Sequence, residues 1–140
     1  MSVGSGDGRP DEIELRLGAE LTNLPIIRSL TSSIAMRADF DLDAIADLKL
    51  AVDEASSTLI TRAGAGAILG CRFSVSKDEI RFAVSIPSAN DAKPSNDTFG
   101  WRVLTTLTDH ADSRVERDAG PGGQHLVHIE LAKRRADGPA

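Results

Sequence analysis

Glu12-Ile13-Glu14-Leu15-Arg16-Leu17 alternates polar and apolar side chains, and period 2 over six residues predicts a half-buried strand. Thr22 or Asn23 then stands where it can cap a helix starting near Leu24, with Pro25 in its first turn. Ile26, Ile27, Leu30, Ile34 and Met36 give that helix an apolar side. Asp39 and Asp41 offer caps for a second helix, from Leu42 to about Ile60. There Ile45, Leu48, Val52, Ala55 and Leu59 recur at spacings of three and four, within roughly 80° of arc. Gly64 and Gly66 end it. Both helices are expected to lay these stripes on one face of a sheet.

Two apolar runs follow, Ile68 to Ser76 and Ile80 to Ile86, joined by the short polar Lys77-Asp78-Glu79, as in an antiparallel hairpin. Residues 87–97 are a loop by composition. Thr98 to Thr108 reads as a short helix with Phe99, Val103, Leu104 and Leu107 facing inward. Asp112 to Arg117, a Gly-Pro-Gly-Gly turn at 120–123 and an alternating strand from His125 to Lys133 close the chain. The order β-α-α-β-β-α-β-β is not a strict alternation, so the expected class is α+β, with helices packed on one face of a mixed sheet.

The 140 residues fit one domain. We expect it at 12–133, between disordered tails at 1–11 and 134–140. Its core must be aliphatic, because aromatic residues are only 4% and there is no Tyr. The net charge of -5 argues against a groove for nucleic-acid backbone, which needs clustered Lys and Arg. One cysteine excludes an internal disulfide or a multi-Cys zinc site. No apolar run approaches the ~20 residues that span a bilayer. The N-terminus has no apolar h-region, so the expected location is the cytoplasm.

Spacing alone marks no catalytic machinery. Glu54 falls roughly 140° from the centre of the second helix's stripe and reads as a solvated residue. As a general base it would need a positioned hydroxyl within hydrogen-bond reach. His125 and His128 are three apart on a strand and point to opposite faces, poor geometry for one metal; no metal site is expected. Cys71 opens an apolar strand and reads as a small buried hydrophobe. Ser56, Ser57 and Thr58 lack a triad spacing. Gly120-Pro121-Gly122-Gly123 precedes a strand, not a helix, so it reads as a hairpin turn more than a phosphate loop. Trp101 reads as core packing behind the third helix.

The segment Ala46-Asp47-Leu48-Lys49-Leu50-Ala51-Val52-Asp53-Glu54-Ala55 resembles the signature helix of bacterial anti-sigma factors, the switch-protein serine kinases of the RsbW and SpoIIAB type. Asn23-Leu24-Pro25-Ile26-Ile27-Arg28 matches an N-x-x-x-x-R pattern in the helix before it. The stretch from Phe99 to Asp109 looks like the family's helix after the ATP lid. The resemblance covers about residues 12–133 and is closest to actinobacterial members with a degenerate site. It implies the Bergerat fold shared with histidine kinases and gyrase. It also implies a sigma factor as partner, release by an anti-sigma-factor antagonist of the STAS type, and a homodimer.

By the same resemblance Glu54 matches the general base that activates a serine hydroxyl on the antagonist, and Arg28 lies at the surface that grips the partners. Mg-ATP would be the cofactor, with Thr58, Gly100 and Gly123 at its site. Here the motifs depart from the family's. Thr58 stands where the family has the Mg²⁺-binding Asn. The D-x-G after the third strand is Ile86-Pro87-Ser88-Ala89, with Asp91 too late. One lid glycine of two survives, at Gly100, and the G-T of the last hairpin is Gly123-Gln124. Lid glycines matter because backbone N–H groups must approach phosphates without a Cβ in the way. Three readings stand side by side: an anti-sigma factor with a degenerate ATP site, an active serine-protein kinase, and an interaction domain that binds neither sigma nor ATP.

Overall fold

A computed structural model describes residues 11–136. The chain runs β1 (Asp11–Gly18), a 3-10 turn (Leu21–Asn23), α1 (Leu24–Arg37), α2 (Leu42–Ile60), β2 (Ile68–Val75) and β3 (Glu79–Ser88). It continues through α3 (Phe99–Leu107), β4 (His110–Glu116), a 3-10 turn (Pro121–Gly123) and β5 (His125–Arg134). The α+β class and the element order are those expected. The sheet itself differs: its order is β1-β2-β3-β5-β4 and every ladder is antiparallel. Hairpins join β2 to β3 and β4 to β5, and the two helices between β1 and β2 return the chain to an antiparallel position, so no parallel crossover arises. Asp11 and Arg134, assigned to tails from composition, are the first residue of β1 and the last of β5. The remainder of both expected tails, apart from Arg135 and Ala136, lies outside the described residues.

Alternation sorts each strand between two faces. One row across the helix-covered face reads Leu15, Cys71, Val84, Ile129 and Ser113, and the next Ile13, Phe73, Phe82, Leu131 and Ala111. Phe73 and Phe82 meet at 4.9 Å between ring centroids. Against these rows α2 buries Ile45, Leu48, Val52, Ala55 and Leu59, the stripe that its spacing marks. Asp41 caps α2, accepting the Ala44 N–H at 2.8 Å.

α1 departs from expectation. It buries Ile27, Thr31, Ile34 and Ala35, while Ile26 and Met36 are exposed. The Thr31 hydroxyl is satisfied locally by donating to the Ile27 carbonyl, so a polar residue can sit in the stripe. Asn23 does not cap the helix by its side chain; its amide donates instead to the Gly18 carbonyl at 2.8 Å, which ties β1 to α1. The loop forecast at 87–97 begins later, because β3 runs on through Pro87 and Ser88, paired to Leu126 and His125.

α3 also differs from its pattern. Only Leu104 is buried, and Phe99 is 81% exposed. The helix lies at the rim of the molecule against α2 rather than over the sheet. Thr98 caps it by accepting the Trp101 N–H. Lys133 closes its far end, donating to the Leu107 carbonyl at 2.9 Å while its ammonium lies 3.3 Å from Asp47 of α2. Trp101 is half-buried and packs on the core.

Candidate functional site

The outer face of α2 and the inner face of α3 meet at Glu54 and Gly100. A Cβ on Gly100 would collide with the Glu54 carboxylate, lying 2.9 Å from its Cδ. Glu54 is therefore half-buried beneath α3 and not solvated, as the angle on α2 alone suggests. That angle shows only that Glu54 avoids the sheet; it carries no information about a third helix. The absence of a side chain at Gly100 is what permits this approach.

Thr58 lies one turn beyond. Its hydroxyl donates to the Glu54 backbone carbonyl at 2.8 Å and stands 3.2 Å from Glu54 Oε2. Thr58, Glu54 and Gly100 thus form one contiguous group. Gly123 does not join them: it lies exposed in the turn before β5, with φ +80°. That left-handed backbone explains a glycine there without any ligand.

Two clefts flank the contact. One, of about 650 Å³, is lined by Leu50, Asp53, Glu54, Phe99, Arg102, Val103, Thr106 and Leu107. The other, of about 240 Å³, is lined by Thr58, Thr61, Arg62, Lys93, Pro94, Ser95, Thr98, Trp101 and Leu104. Arg62 donates to the Ala92 carbonyl at 2.5 Å, fastening the 89–98 loop to the end of α2. Asp91 is turned to the surface, 3.3 Å from Arg117.

Arg28 projects from α1 toward α2. Its Nε and Nη2 both donate to one oxygen of Asp53, at 3.2 and 2.8 Å. The guanidinium remains 43% exposed, and Asp53 directly precedes Glu54. Arg28 is thereby held at the border of the larger cleft. Asp53 escaped the sequence reading, since no local spacing links residues 28 and 53. Phe99, expected inside, instead lies exposed on the cleft.

A second cluster lies on the helix-free face of the sheet. His128 is buried, and its Nε2 comes within 2.6 Å of Glu116 Oε1, which Arg114 also holds at 2.9 Å. Burial, reinforced by the positive charge of Arg114, pushes His128 below its ordinary value; Glu116 and Glu130 oppose this without prevailing. The Arg114 hydrogen bond, with help from His128, lowers the Glu116 carboxyl. Cys71 is buried among apolar side chains, which pushes its thiol up to about 12 and leaves it protonated and inert at neutral pH.

No protein-family model matches the chain. It is similar to the anti-sigma-F factor RsbW of Mycobacterium tuberculosis, from strains CDC 1551 / Oshkosh and ATCC 25618 / H37Rv. In each case it is 38% identical over 124 residues, spanning 89% of this chain and 74% of the relative. Among solved structures it is similar to the mycobacterial sensor histidine kinase MprB, with a TM-score of 0.47 and 15% identity over 90% of this chain and 100% of that one. Among the described residues no helix is long and apolar enough to cross a membrane.

Proposed function

The chain belongs to the RsbW-type anti-sigma factor family, and we propose that it sequesters an alternative sigma factor of the stress-response type in the cytoplasm. A STAS-type antagonist competes for the same surface and releases the sigma factor. The working form is a homodimer. The observation that carries this reading is the placement of Arg28: half-exposed, oriented by Asp53, and beside an open cleft with apolar Leu50 and Phe99 on its walls. An oriented guanidinium beside exposed apolar side chains is the composition of a protein-binding surface. The test is titration against a purified sigma factor of the F type. Arg28→Glu is expected to cost about 2 kcal/mol or more, roughly 30-fold in Kd. Unchanged affinity would remove Arg28 from the interface.

Nucleotide control in this reading is weak. Three features support that. The place of the Mg²⁺-binding amide is taken by Thr58, whose hydroxyl is engaged with Glu54. The gap that Gly100 leaves is filled by the Glu54 side chain. The carboxylate nearest the place of the adenine-reading Asp is Asp91, paired outward with Arg117. The residues at these places do not fit Mg-ATP.

A second reading, phosphorylation of a serine on the antagonist with Glu54 as general base, has one observation in its favour. The Glu54 carboxylate has no ion-pair partner among the described residues and borders the larger cleft. Incubation of purified antagonist with this chain and Mg-ATP distinguishes the two. Phosphoserine that disappears in Glu54→Ala would establish the kinase; its absence in the parent chain is the expected result.

A further inference from the structure

Much of the apolar stripe of α3 has no partner inside the molecule. Phe99, Val103 and Leu107 follow one another at intervals of four along the helix, and all three line the larger cleft together with Leu50 of α2. Phe99 is 81% and Leu50 58% exposed. Large apolar side chains gathered in one groove and left open to water mark a place for a partner. The walls carry charge as well. Glu54 stands on the α2 wall and Arg102 on the α3 wall. Neither has an ion-pair partner among the described residues.

We propose that this groove receives one amphipathic α-helix of the sigma factor, which lays an apolar stripe of about two turns, ~11 Å, along Phe99, Val103 and Leu107. The inference deepens the sequestration reading above and rests on it. The groove selects a helix because both of its walls are helices, whose interior N–H and C=O groups are engaged in their own ladders. An extended peptide lying there would bring its backbone groups into an apolar groove that offers them no partners, which is unfavourable. A helix satisfies its backbone internally and presents only side chains. Its anchors at i, i+3 or i+4 and i+7 stand one turn apart, the spacing of the α3 stripe.

The two unpaired charges then fix which way the helix faces. Its flank toward α2 carries a Lys or Arg that meets Glu54, and its flank toward α3 carries an Asp or Glu that meets Arg102. A helix with these flanks exchanged would set like charges against each other on both sides and be rejected. Glu54 thereby takes a part in recognition that needs no nucleotide. Arg28, held by Asp53 at the same border, contacts the partner beside the docked helix.

The test uses the full chain and a purified F-type sigma factor. Phe99 is exposed, so Phe99→Ser leaves the fold intact, which circular dichroism checks. It is expected to raise Kd at least about tenfold. Arg102→Glu is expected to raise Kd about three- to tenfold, with a changed salt dependence. Arg72→Glu, exposed on the helix-free face, leaves Kd unchanged. Phe99→Cys labelled with a benzophenone maleimide keeps an aromatic group in the groove and maps what lies there; the buried Cys71 does not compete for the label. The photo-cross-link is expected in a single helical segment of the sigma factor, with apolar residues at helical spacing and opposite charges on its two flanks. A complex weakened by Arg28→Glu but indifferent to Phe99→Ser overturns the groove and leaves sequestration standing. A cross-link to an extended segment, to a second copy of this chain, or to nothing within a complex that does form also overturns the groove alone. A parent chain that forms no complex overturns both.

Discussion

Arg28 and Asp53 form a pair with both side chains partly exposed, and such pairs contribute about 0–1 kcal/mol to folding. The consequence of the pair is orientation: a long, flexible side chain is set at the cleft before a partner arrives. Asp53→Asn is expected to change stability by less than about 1 kcal/mol and to weaken sigma binding about three- to tenfold through lost preorganisation. Chemical denaturation and a binding titration read the two effects separately. His128 makes a different prediction. Its pKa in the fold lies below the ordinary 6.5, so the unfolded chain binds that proton more tightly. Its contribution is full above pH 6.5 and is lost as pH falls through the lower folded value. Glu116, also lowered, adds a loss of the same sign at more acidic pH. Melting temperature should therefore fall on acidification below about pH 6.5, and His128→Gln should flatten that part of the profile.

At the scale of elements, α3 is the least anchored. It has nine residues and one buried side chain, Leu104. Elements with so few buried contacts open locally at low free energy. Leu104→Ala, a loss of about 2–4 kcal/mol at a well-packed site, is expected to detach α3 while the sheet stays folded. Hydrogen exchange would show lost protection at 99–107 with β3 and β5 unchanged, and the lone Trp101 would report the same event by fluorescence. Gly100→Ala tests the contact with α2. The displaced group is the end of a flexible side chain, and alanine gains helix propensity, so the net change in stability is expected below about 1 kcal/mol. A loss above 2 kcal/mol in a urea melt would show that Glu54 cannot move aside.

The same elements mark how far the sequence was legible. The core-facing stripe of α2 is readable, because it meets one continuous surface, the sheet. α1 was readable in position but not in face: Thr31 entered the stripe through a bond to its own helix, and Ile26 and Met36 were left outside. α3 misled, because its apolar residues line a cleft instead of the core. Among the candidate site residues, the N-x-x-x-x-R pattern singles out Arg28 but not the Asp53 that holds it, since only the packing of α1 on α2 brings them together. The burial of Glu54 was hidden for the same reason.

The whole molecule is a one-sided α+β layer. Its helices carry Arg28 and Glu54 and line the two clefts, and its bare sheet face lies on the other side. The proposed activity is sigma binding that proceeds without nucleotide. The most direct measurement is a titration of the purified chain against an F-type sigma factor, with and without millimolar Mg-ATP. The expected result is a complex of equal affinity in both, weakened at least about 30-fold by Arg28→Glu. A complex that forms only with Mg-ATP, or none in either condition, would contradict it.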